Sequence, residues 1–135
     1  MRGMPVPGPD EKQHDVLEFI REYIDTVPEL EALLLLWEQR PSPWSIEDLA
    51  QRLYIGTEET RTILLDLKGK GLISAALGDS ESFQYDLVSE QRNDLMCRTE
   101  ELYRRQIVRI STMIHSKPSS AVRDFARAFR FKKEK

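Results

Sequence analysis

Residues 45–73, SIEDLAQRLYIGTEETRTILLDLKGKGLI, constrain the fold more than any other part of the chain. Ser45 can accept a free backbone N–H of a first helical turn, and Glu47 and Asp48 place negative charge where a helix dipole favours it. Ile46, Leu49, Ala50 and Leu53 then fall at i, i+3, i+4 and i+7, one apolar face at helical period. Gly56 is the expected turn residue, because a sharp turn needs a backbone free to reach positive φ. Thr57 is a second N-cap candidate, and Thr60, Ile63, Leu64 and Leu67 repeat the apolar spacing. Lys68 and Lys70 suit a closing turn, with Gly69 or Gly71 as its cap. Two short helices joined by a tight turn follow from these residues alone.

Beyond the glycines the period changes. Residues 72–77 (LISAAL) have no polar face wide enough for an isolated helix, and 78–82 (GDSES) have turn chemistry. Phe83, Tyr85 and Leu87 alternate with Gln84 and Asp86, so a β-hairpin is expected. A helix over 28–39 precedes the pair, and the RPSP segment at 40–43 ends it, with Trp44 packing back under the next helices. This order resembles a winged helix-turn-helix domain of the broad class that includes the MarR, PadR and ArsR bacterial regulators. The residues that carry the likeness are IEDLAQRL, GTEETRTILLDLKGKGLI and YDLVSE, within residues 28–90. The resemblance implies that Lys70-Gly71-Leu72-Ile73 starts the wing, that the second helix reads DNA, and that helices outside the core pair two copies.

With 135 residues the chain can bury one ordinary core with extensions. A single cysteine, Cys97, excludes an intrachain disulfide, and its lack of a nearby base or CxxC partner favours a buried, small apolar role. The longest apolar cluster, 32–37, is far short of a membrane span, and the first residues lack the apolar core of a signal peptide. A cytoplasmic protein is expected.

Organisation follows from composition. Residues 1–12 form a Pro/Gly arm; 13–90 hold an N-terminal helix, expected over 15–26, and the winged domain; 91–116 form a long helix; and 117–135 form a basic amphipathic tail. The fold class is thus mainly α with a small β-hairpin wing. If continuous, the long helix spans about 39 Å. Its stripe of Leu95, Met96, Leu102, Tyr103, Ile107, Ile110, Met113 and Ile114 calls for a cover. A second copy of the chain is one, giving a homodimer; the helix over 15–26 is the other.

Charge bears on function. Net charge is −3, residues 10–48 carry eleven acids against three bases, and 121–135 carry six bases against two acids. Candidate DNA contacts are Arg52, Thr57, Thr60, Arg61, Lys68 and Lys70, since arginine pairs well with guanine and either base can meet phosphate. Opposing them are Glu58 and Glu59 at the start of the second helix and Asp79 and Glu81 in the wing. A DNA-binding regulator is the first reading. The alternative is a winged protein-interaction module whose tail docks on a partner through Arg123, Phe125, Arg127, Phe129, Arg130, Lys132 and Lys133. No enzyme, cofactor or metal is expected: His14 and His115 belong to no ligand pair, and Lys68-Gly69-Lys70-Gly71 lacks the spacing of a phosphate-binding loop.

Overall fold

A computed structural model describes residues 9–76, 78, 81–86 and 89–117, with side chains from residue 13 onward. Six helices and three short strands run in the order α1 (Pro9–Tyr23), α2 (Val27–Glu38), β1 (Trp44–Ser45), α3 (Ile46–Leu53), α4 (Thr57–Gly69), β2 (Ser74–Ala75), β3 (Ser82–Gln84), α5 (Glu90–Arg105) and α6 (Ile107–His115).

The centre is α2, because its run 32–37 (ALLLLW) is unbroken apolar. Leu30, Ala32, Leu33 and Leu36 are fully buried, and Leu34, Leu35 and Trp37 nearly so. A run that is apolar all round the helix must be surrounded; α3, α4, α5 and α6 all pack on α2. Thr26 caps it, accepting from the Glu29 amide at 3.2 Å. Ser45 and Ser89 cap α3 and α5 in the same way.

The helix pair forms as its spacing requires. Ile46, Leu49 and Ala50 are buried on α3, and Thr60, Ile63, Leu64 and Leu67 on α4. The turn between them differs from expectation. Gly56 has φ −71° and N-caps α4, which places Thr57 inside the helix rather than at its cap. The left-handed residue is Tyr54, at φ 59°. Its amide bonds to Gln51 O, and the Ile55 amide reaches Ala50 O at 3.1 Å, the paired bonds of a Schellman motif. The end of α4 repeats that pattern with a glycine: Gly71, at φ +79°, bonds to Lys68 O and Leu72 to Leu67 O.

The wing has three strands, not two. β3 lies between β1 and β2, antiparallel to both, with Trp44 opposite Phe83 and Ser74 opposite Gln84. Phe83 and Tyr85 face the core and Asp86 faces water, as the alternation requires. Trp44 is therefore held as a strand residue, partly buried against the core.

The N-terminal helix begins at Pro9, inside the expected arm, and ends at Tyr23. The expected long helix is two. Gln106 leaves helical geometry (φ −131°, ψ 51°), so α5 ends and α6 begins on either side of it. The break lets both halves lie on the same body: α5 packs on α1 and α2, and α6 on α2. Met96, Leu102, Tyr103, Ile110 and Ile114 are buried there. The Trp37 indole donates to Asn93 (2.9 Å) and the Tyr103 hydroxyl to Glu31 (3.0 Å), tying α5 to α2. Most of the apolar stripe is thus covered within one chain, but Leu95 and Met113 are only partly buried and Ile107 stays half exposed. Cys97, expected to be buried, is exposed on α5. No helix among the described residues is long and apolar enough to cross a membrane.

Candidate nucleic-acid interface

With its inner face buried, α4 turns Thr57, Glu58, Glu59, Thr62, Leu65 and Lys68 toward solvent. Arg61, Leu65 and Lys68, at i, i+4 and i+7, share one side of the helix. Arg61 reaches across to the wing and pairs with Glu81 at 2.5 Å. Both partners are close to half exposed, so the pair is an open contact that other charged groups can displace. At the base of the wing, hydrogen bonds from Ser74 and then from Gln84 hold the Asp86 carboxyl below its ordinary pKa.

The sequence-based candidates separate. Arg61 and Lys68 lie together on the outer side of α4, and Thr57 is exposed at its start. Thr60 is not a contact residue: it is fully buried, and its hydroxyl donates to Gly56 O at 2.8 Å, closing the first turn of the helix. Arg52 is exposed on α3 but lines a cleft of about 330 Å³ bounded by α2 and α5, beside Leu35, Tyr54 and Tyr103. The tail residues Arg123, Phe125, Arg127, Phe129, Arg130, Lys132 and Lys133 lie outside the described residues.

Lys70 is the largest correction. It does not face outward but enters a cluster of three carboxylates. Its ammonium lies 2.9 Å from Asp66, 3.3 Å from Asp25 and 3.2 Å from Glu29, and it also donates to the Tyr23 carbonyl. Lys117, just past α6, donates to the Ile20 and Ile24 carbonyls and stands 3.8 Å from Asp25. Two ammonium groups distant in sequence thus cap the carbonyl end of α1, where the helix dipole favours positive charge. Glu29 is 2% exposed and accepts the Asp25 amide at 2.6 Å. Burial raises its pKa to about 7, assisted by a hydrogen bond with Asp66. Burial pulls the Lys70 ammonium down, but Asp66, Glu29 and Asp25 outweigh it and its pKa stands above the ordinary value. A signal for Glu29 was present in the sequence: Thr26-x-x-Glu29 is the spacing of a capping box. Lys117 and Tyr54 carried no comparable signal.

A scan against protein-family models found no match, and a search of curated proteins found none. Solved structures do match. MepR, a transcription regulator of the Staphylococcus aureus multidrug efflux pump MepA, superposes with a TM-score of 0.51 at 14% identity, covering 90% of this chain and 86% of MepR. A MepR mutant bound to an oligodeoxyribonucleotide gives 0.52 at 13% identity, covering 92% and 88%. YusO from Bacillus subtilis gives 0.51 at 13% identity, covering 93% and 85%. At such identities the likeness is one of fold. The described residues have the fold of these solved structures, a helix-turn-helix followed by a small three-stranded wing.

Proposed function

We propose that the protein is a DNA-binding regulator that reads duplex DNA with α4 and steadies itself on phosphate beside the wing. One observation carries this reading: α4 buries only its inner face, leaving a complete outer side for a groove, with Arg61 and Lys68 on it. A MepR mutant of the same fold is bound to an oligodeoxyribonucleotide. A major groove admits an α-helix and offers guanine acceptors to arginine. The Arg61–Glu81 pair does not bar the contact, since an exposed ion pair is worth about 1 kcal/mol or less. Exchange of the Glu81 carboxylate for a phosphate is therefore inexpensive. Glu58 and Glu59 remain a real cost near phosphate, offset in part by the ability of glutamate to accept from cytosine N4. Their presence suits selective rather than general affinity.

The test is a titration against a pool of genomic duplex fragments at low and at physiological salt. Saturable binding that weakens with salt, and weakens further in Arg61→Ala and Lys68→Ala, supports the reading. Absence of binding at low salt, or affinity indifferent to both substitutions, rejects it.

A further inference from the structure

The pair of Arg61 and Glu81 is carried on two backbones that are fixed independently. Glu81 stands immediately before β3, the central strand of the wing, which is laddered to β1 on one side and β2 on the other. Phe83, two residues on, is buried in the core, and Ser82 O accepts the Ala76 amide at 2.9 Å. Arg61 stands in the second turn of α4, whose inner face is buried through Thr60, Ile63 and Leu64. The contact joins residues 20 positions apart, and it places a wing carboxylate on the outer side of the helix. Within the pair, Arg61 Nη1 donates to Glu81 Oε1. An end-on guanidinium fork, toward guanine O6 and N7 or toward two phosphate oxygens, uses both terminal nitrogens. With Nη1 held by Glu81 that fork is incomplete.

We infer that Glu81 is an internal competitor for Arg61: in the free protein its carboxylate takes the place of an acceptor oxygen of duplex DNA, and it must leave before Arg61 makes its full contact. The inference rests on the reading of α4 as the DNA-facing helix and adds a limit to it. Affinity through Arg61 becomes a difference, the duplex contact less the Glu81 contact. A side-on fork through Nε and Nη2 would leave the pair intact and make Glu81 a support instead. Charge favours competition, because a retained carboxylate would lie beside the phosphates whose neutralisation drives binding. Since the pair is exposed, the limit is a factor of a few rather than orders of magnitude.

A double-mutant cycle on binding tests this. Wild type, Glu81→Gln, Arg61→Ala and the double variant, each as the full chain, are titrated with one GC-rich duplex at low salt. Both positions are close to half exposed, so all four proteins should fold, which circular dichroism checks. Glu81→Gln keeps the size of the side chain and removes its charge. It should tighten binding about two- to fivefold. In the Arg61→Ala background most of that gain should disappear, because the contact being relieved is gone. Unchanged or weaker binding by Glu81→Gln would make the glutamate a bystander or a support. An equal gain in both backgrounds would make it a source of plain repulsion. Either result overturns the competitor and leaves the DNA reading standing. No binding by wild type and Glu81→Gln alike overturns both.

Discussion

Arg61 and Lys70 are both basic, nine positions apart on and just beyond one helix, and their environments are opposite. Arg61 meets a single wing carboxylate in open solvent. Lys70, 20% exposed, meets three carboxylates and a helix carbonyl end. The comparison teaches that charge on this helix does two jobs that residue type cannot separate. At the outer face a charge is available to a partner. At the exit it is already committed to holding the helix against the rest of the domain.

The largest effect expected from breaking that comparison is at Lys70. Lys70→Met removes the cation nearest a buried carboxylate, and loss of one partner of a buried pair typically costs 3–5 kcal/mol. Because Lys70 keeps some solvent, the lower end applies: about 3 kcal/mol by urea denaturation at pH 8. The cost should shrink toward pH 6, where Glu29 takes up a proton and no longer needs a counter-ion. A loss that is the same at both pH values, or below about 1 kcal/mol, would place Lys70 with the surface pairs.

A second contrast sharpens the picture at the helix ends. Both α3 and α4 close with a Schellman motif, one around Tyr54 and one around Gly71. Gly71→Ala should destabilise by about 1 kcal/mol through backbone strain alone, because a Cβ there meets nothing within 4 Å. Tyr54→Gly should stabilise by about 0.5–1 kcal/mol, net of the unfolded-state entropy of glycine. With Tyr54 92% exposed, little packing is lost. Thermal melts of the two variants should therefore shift in opposite directions; shifts of one sign would mean that strain is not what separates the two turns.

The smallest effect is at Arg61. Arg61→Ala should change stability by about 0.5 kcal/mol or less, since its pair with Glu81 is exposed. A larger loss would show the wing and α4 to be structurally welded rather than loosely joined.

What the sequence made legible is local. The i, i+3, i+4, i+7 spacings of α3 and α4, the Ser45 cap, and the Phe83/Tyr85 alternation all act within one or two turns of chain. The outward placement of Arg61 and Lys68 was legible to the same extent, because the apolar residues beside them must face in. What escaped reading depends on distant partners. β1 is two residues long and exists only because β3 offers it a ladder. Lys70 turns inward because Asp25 and Glu29, more than 40 positions earlier, wait there. In a simple charge count those two acids belong to a solvated acidic segment, whereas in the fold one is buried and both bind lysines. Thr60 fell on both lists, as a core position by spacing and as a contact by chemistry, and burial decided between them. The turn was misplaced by two residues because glycine is the usual left-handed residue, and here a tyrosine takes that conformation.

The central claim is that the outer side of α4 binds DNA while its exit is reserved for anchoring. One measurement tests both halves: equilibrium binding of wild type, Lys68→Ala and Lys70→Met to the same duplex over a range of salt. Lys68→Ala should weaken binding and lower the slope of log affinity against log salt by about one. Lys70→Met, under conditions where it remains folded, should leave that slope unchanged. No binding by the wild type at low salt, or a slope lowered by Lys70→Met and not by Lys68→Ala, would contradict it.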